Sequence, residues 1–177
     1  MSVYDAVGCG SVPQTGDVTF RFERLPESLE DLQAMPEAKL QTPFEAAALT
    51  VCALCVYAAL PETGIGMLNY LKGPQPLSPY QLQFLRDRFR DKTYVPFSYF
   101  DGAVPANDYT PSVPYSITVK TTPYSYQSAG YCTLYVHSGG ADNDRSVQLR
   151  QKGDQWFLWE QFLLSDIRTP ASKNPWA

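Results

Sequence analysis

The sequence is poor in the residues that usually announce chemistry. Its 177 residues include one histidine, His137, and four cysteines, Cys9, Cys52, Cys55 and Cys132. A structural zinc needs four nitrogen or sulfur ligands at metal-site spacing, and the chain offers one Cys-x-x-Cys pair and no second. Basic residues are also scarce: 14 Lys and Arg stand against 18 Asp and Glu, a net charge of −4. That balance excludes the basic footprint of general nucleic-acid binding and of adsorption to anionic membranes. No apolar run reaches the roughly 20 residues needed to cross a bilayer. The opening MSVYDAVGCGS has no basic start followed by an apolar stretch, so no secretory leader is expected. Internal repeats are absent too. No metal and no cofactor are expected, and the cysteine usage fits a reducing, cytoplasmic compartment.

Apolar and aromatic residues are plentiful, at 44% and 14% of the chain. They concentrate in residues 42–60, TPFEAAALTVCALCVYAAL, where Thr50 is the one plainly polar residue after Glu45. A helix apolar all round has no solvent face and is buried on most sides. Thr42, Pro43 and Glu45 fit the N-cap, first and third positions of a capping box, and Pro61 closes the run. This stretch is the expected central helix, with the other elements packed around it.

Residues 1–16 are small and polar and read as a flexible arm. DVTFRFE, residues 17–23, alternates Val18, Phe20 and Phe22 with polar residues, a half-buried strand. Ser28 and Asp31 cap a short helix to about Met35. A second long helix spans 61–72, stopped by Gly73 and Pro74. A third is opened by Ser78, Pro79 and Gln81 and runs to about Asp91, with Leu82, Leu85 and Phe89 inward. From Tyr94 to Tyr131 the chain is rich in tyrosine and proline, which predicts an extended edge segment, a long loop, and then a strand over 115–121. Residues 131–138 form a strand and 139–144 a turn. Two further strands, 147–152 and 155–163, are joined at Gly153-Asp154, a two-residue hairpin signal. Helices early and strands late predict an α+β domain over 17–168. Three or four helices pack on one face of a curved antiparallel sheet, and 169–177 follow as a tail.

The closing meander, KGDQWFLWEQF, resembles the sheets of nuclear-transport-factor-two-like and cystatin-like folds. FEAAAL, MLNYLKGPQPLS, YTPSVPYSI, VQLRQKGDQWFLWE and the terminal NPWA are together similar to a family without assigned activity from Gram-positive gut anaerobes, over roughly residues 36–177. That resemblance implies a cytoplasmic bacterial protein and no catalytic residues.

The chemistry-bearing motifs each have a plainer reading. Cys52 and Cys55 fall mid-helix among alanines and valines, not at a helix N-terminus that would lower a thiol pKa, and read as small core residues. His137 shares a strand face with Tyr131, Thr133 and Tyr135, and alternation puts Cys132 on the other face, which spoils a Cys–His pair. Asp142, Asn143 and Asp144 lack the twelve-residue calcium loop and read as a turn. Gly64-x-Gly66 does not follow a strand and fails as a dinucleotide motif.

The hairpin supports a geometric argument. With Gly153-Asp154 as the turn, Leu149 lies opposite Leu158 and Val147 opposite Glu160. One face then carries Val147, Leu149, Trp156 and Leu158 together with Gln151 and Glu160. The other carries Gln148, Arg150, Phe157 and Trp159. Assigning the first face to the helices points Glu160 inward, where it lines a cavity or needs a partner. Arg150 is then free to lie on Trp159 or Phe157. A one-residue slip instead turns Glu160 to solvent and buries Trp159 and Phe157.

These readings support two functions. The first is a non-catalytic binding or assembly module that holds a protein partner or a second copy of itself on an open sheet face. Tyr109, Tyr115, Tyr124, Tyr126, Arg150 and Trp159 are its candidate interface. The alternative is a small-molecule-binding or enzymatic domain with a pocket between sheet and helices, for which Glu160, Trp156, His137 and Tyr135 are the candidates. A closed, mostly apolar pocket with converging polar groups favours the alternative, and a flat exposed aromatic patch the first.

Overall fold

In the computed structural model, which describes residues 13–177, helix α2 (Pro43–Ala59) is the centre of the molecule. It is buried from Pro43 to Tyr57 except at Glu45. Its cap is the expected one: Glu45 N donates to Thr42 Oγ1 at 3.3 Å, and Glu45 Oε1 accepts from the Thr42 and Gln41 amides. Thr50, fully buried, donates to Ala46 O at 2.8 Å, so the one polar side chain inside the run is satisfied within its own helix. Thr42→Ala removes the acceptor for one otherwise orphaned amide. It should cost on the order of 1 kcal/mol, read as a lowered urea midpoint with unchanged slope; an unchanged midpoint would place the helix start elsewhere.

The flanking helices follow the sequence closely. Helix α1 (Leu29–Gln33) is capped by Ser28, whose Oγ accepts from Asp31 N. Pro61 both stops α2 and opens α3 (Pro61–Lys72), with Leu60 alone between them. Helix α4 (Pro79–Phe89) starts on a Ser78–Gln81 capping box and ends two residues earlier than expected. Leu85 and Phe89 are buried and Leu82 is half-buried.

The tyrosine- and proline-rich segment differs from expectation. Residues 94–114 form no extended edge; they make 3-10 turns at Val95–Tyr99 and Pro105–Asn107. The reason lies in the tyrosine side chain, whose apolar ring buries well only if its hydroxyl finds a partner. Tyr99 donates to Leu163 O at 2.6 Å and Tyr109 to Arg168 O at 2.6 Å. Both are buried, so the segment clasps the chain that follows the last strand. The stretch at 169–177 is held too: Ser172 N donates to Asp108 Oδ1, and Lys173 Nζ donates to Asp91 O and lies over the Tyr94 ring. The expected N-terminal arm falls mostly outside the described residues, as does Cys9. Its last residues are tied down, with Gly16 paired to Thr121 and Gln14 O accepting from Tyr126 OH.

The described strands are β1 (Asp17–Phe22), β2 (Tyr115–Lys120), β3 (Tyr131–Val136), β4 (Arg145–Lys152) and β5 (Gln155–Gln161), in that order across one antiparallel sheet. β1 and β2 pair with Phe20 opposite Ile117 although all the helices lie between them in sequence. Alternation is clean: Ile117, Val119, Cys132, Leu134, Val136, Val147 and Leu149 are buried beneath the helices. Thr118, Tyr131, Thr133, Tyr135 and Gln148 stay partly exposed on the other face. The chain is therefore α+β, with α2 laid across the sheet.

The hairpin register is half as expected. Leu149 faces Leu158, and both are buried. The pairing then shifts by one residue, so that Gln148 faces Glu160 and Val147 faces Gln161. Trp159 is the extra residue of a β-bulge. The inward Glu160 is thus corrected: the bulge returns it to the Gln148 side, and it is exposed. The slipped register does not hold either, because Trp159 is not under α2. Its ring meets Tyr131 edge-on at 5.8 Å, and the Arg150 guanidinium lies 4.7 Å from its centroid, on the outer face.

Candidate functional site

The bulge falls beside a cleft between β5 and α4. β5 is an edge strand, and α4 reaches the body mainly through Leu85 and Phe89, the latter ring 4.7 Å from Tyr57. The first half of α4 stands away from β5, leaving a cleft of about 630 Å³. Its floor is Leu54 of α2 and Leu68 of α3; its walls are Leu77, Phe84 and Leu85 on one side and Leu158 on the other. Tyr80 and Phe162 stand at the rim, 79% and 51% exposed. The connection from α3 to α4 is fixed where it matters. Gly73 turns the chain at φ 66°, with the Phe157 ring against its Cα, and Leu77 N donates to Asn69 Oδ1 at 2.9 Å.

One polar group lies deep in this apolar setting. Lys72, the last residue of α3, is 7% exposed and lines the cleft. Its Nζ donates to Trp159 O at 3.2 Å, its one hydrogen-bond acceptor among the described residues. An ammonium carries three donors, so two remain for the cleft. Burial depresses the Lys72 pKa, and the negative charge of Glu160 partly opposes the shift. The two are not in salt-bridge contact, and Glu160 lies towards the solvent side of the same cleft. Arg88 adds a second positive charge there, with its guanidinium 5.4 Å from the Phe84 ring centroid.

The other predicted pocket residues do not converge with Glu160. Trp156 packs at the hairpin end of the core, edge-on to Tyr126 at 6.4 Å. Tyr135 and His137 lie on the outer face, and His137 is exposed with Nδ1 3.4 Å from Asp144.

Of the predicted interface residues, Tyr109 is an interior residue and presents no surface. Tyr115 is half-buried against Phe100, and Tyr126 is half-buried and bonded to Gln14 O. Tyr124, 70% exposed, and Trp159 do share a place. With Tyr131, Ser125, Ser128 and Gln148 they line a hollow of about 340 Å³ on the outer sheet face. Arg150 lies over both Tyr131 and Trp159 beside it.

Lys72, Phe84 and Arg88 were not singled out from sequence. Lys72 carried a readable signal, since it falls four residues after Leu68 and seven after Ile65, on the apolar stripe of its helix. A lysine at such a position has a buried stem and a head that must be accommodated.

The three described cysteines lie away from solvent. Cys52, Cys55 and Cys132 are free and buried; burial pushes the Cys132 thiol up to about 12 and raises the other two further from the thiolate range. No cluster of three or more His, Cys, Asp or Glu among the described residues could hold a metal ion, and no helix among them is long and apolar enough to cross a membrane. No curated protein and no solved structure matches the chain. A family model, the domain of unknown function DUF6935, matches residues 24–171, which takes in every helix, all strands but the first, and the whole of the cleft. The chain belongs to the DUF6935 family.

Proposed function

We propose that this domain is a non-catalytic binding module and that its site is the cleft between α4 and β5. The observation that carries this is the pairing of apolar walls with a buried, incompletely bonded ammonium in a cleft of about 630 Å³. Small-molecule sites typically occupy about 300–1,000 Å³, with mostly apolar linings and a few placed polar groups. Binding is favoured over catalysis because the described thiols are buried with raised pKa values, and His137 lies on the far face of the sheet. The setting we propose is a bacterial cytoplasm, in keeping with those free thiols.

The test uses a neutral apolar dye, Nile red, titrated against wild type and Phe84→Glu. Saturable fluorescence should appear with wild type and be lost or much weakened when a carboxylate is placed on the cleft wall. Equal binding by both proteins would remove the cleft as the site.

A second reading rests on the outer face. There Arg150, Tyr131, Trp159 and the exposed Tyr124 form a polar-aromatic patch of the kind found at interfaces. It would hold a protein partner or a second copy of the chain. Light scattering of wild type and Tyr124→Asp at matched concentrations separates the two: a dimer that the substitution dissolves supports self-association, and a monomer in both leaves only a different partner.

A further inference from the structure

We propose that the cleft takes a single-chain amphipathic carboxylate, its head on the Lys72 ammonium and its alkyl chain along Leu77, Phe84, Leu85 and Leu158. The proposal rests on the cleft being the binding site and names the ligand class. Four observations carry it.

The first is an unbalanced charge. Lys72 is 7% exposed, and its one acceptor is a neutral carbonyl, Trp159 O at 3.2 Å. A buried ammonium is costly unless it is paired and hydrogen-bonded. The nearest acid that influences it, Glu160, is exposed and makes no ion pair with it. An anion entering the cleft can accept the protons that the protein leaves unused.

The second is the sign of the local field. The chain as a whole carries −4, yet Lys72 and Arg88 both line this cleft against Glu160 alone. A local positive excess in an acidic protein selects an anionic head.

The third is the character of the walls. Leu54, Leu68, Leu85 and Leu158 are apolar, and of the uncharged polar residues in the lining Ser78 and Gln81 are engaged in the α4 cap and Gln161 Oε1 accepts from Leu163 N, which leaves few groups for a sugar. The leucines suit methylene groups, whose burial away from water is favourable.

The fourth excludes a bound strand. A peptide docking on an edge strand needs its free backbone groups. On β5 two of these are already used: Trp156 N donates to Leu40 O at 2.8 Å and Trp159 O accepts from Lys72. The edge is partly closed, and the space beside it is of small-molecule size.

Titration calorimetry with decanoate, decanol and decylammonium, below their micellar concentrations, tests the head group at constant chain. A hydrogen bond to a charged group contributes about 1.5–3 kcal/mol, so decanoate should bind wild type roughly tenfold or more tightly than decanol. Decylammonium should bind most weakly. Lys72→Met keeps the apolar stem and should abolish the preference for decanoate, while Lys72→Arg should retain it. Circular dichroism establishes that both variants fold. If wild type does not prefer decanoate to decanol, or if Lys72→Met keeps the preference, the proposal fails and Lys72 serves only to cap the β5 edge. Nile red binding that is still sensitive to Phe84→Glu would show that the cleft survives as a site in that event. Loss of both signals would sink the site and the ligand class together.

Discussion

Gly64→Ala should destabilise the domain by about 2 kcal/mol or more, the range of overpacked cores whose neighbours cannot move aside. Alanine is the better helix former by about 1 kcal/mol, so helix propensity alone predicts the opposite sign. The contact geometry decides. A Cβ on Gly64 would sit 2.5 Å from Tyr57 Cα and 2.7 Å from Tyr57 N. Those are backbone atoms of a buried helix and cannot rotate away, so α3 would have to move bodily off α2. Gly66, two residues on in the same helix, meets nothing within 4 Å. Gly66→Ala should therefore be neutral or stabilising by up to about 1 kcal/mol. Urea melts should show a lowered midpoint for Gly64→Ala and an unchanged or raised one for Gly66→Ala. An unchanged or raised midpoint for Gly64→Ala would mean that the helices do not approach at Gly64. Because α3 carries Leu68 and Lys72 into the cleft, Gly64→Ala should also weaken Nile red binding, whereas Gly66→Ala should not.

The helices were legible because their signals are local. Thr42-Pro43-Glu45 and Ser78-Pro79-Gln81 each specify a helix start through atoms within four residues, and both capping boxes form. Residues 42–60 state by composition alone that no side of the helix meets water. Strand faces were legible for a similar reason, since alternation is a property of neighbours: Cys132 and His137 fall on opposite faces as the pattern requires.

What failed to show in the sequence is non-local. A bulge adds one residue to one strand, and Trp159 is apolar enough to suit either face, so nothing in QWFLWEQ marks where the count slips. That slip turned Glu160 outward and set the Trp159 carbonyl towards Lys72. The tyrosines misled in the same way. Their abundance reads as interface, yet Tyr70, Tyr99, Tyr109 and Tyr126 each donate to a backbone carbonyl distant in sequence. Those acceptors cannot be found without the fold. The cleft depends on α4 standing off from β5, a distance that no local pattern encodes. Its one local trace is Lys72, a lysine on the apolar stripe of α3.

Leu49→Ala should be among the most damaging leucine truncations, and its comparison with Leu54→Ala bears on the cleft. Both leucines lie on α2 with no exposed surface. Deleting three buried carbons typically costs about 2–5 kcal/mol, with the spread set by how far the surroundings fill the void. Leu49 borders neither the cleft nor the outer hollow, so its void has close-packed core around it and the cost should lie near the top of that range. Domain stabilities of about 5–15 kcal/mol make such a loss a large share of the total. Leu54 forms part of the cleft floor. Its truncation deepens an existing opening, into which water can enter and towards which Phe84 and Leu85 of the lightly anchored α4 can settle. The cost should then lie near the bottom of the range, and dye binding should change because the cleft gains volume. Leu49→Ala should leave dye binding intact under conditions where the protein stays folded. Equal stability losses, with no effect of Leu54→Ala on the dye, would mean that the cleft does not extend down to α2 and that Lys72 lies above a closed core.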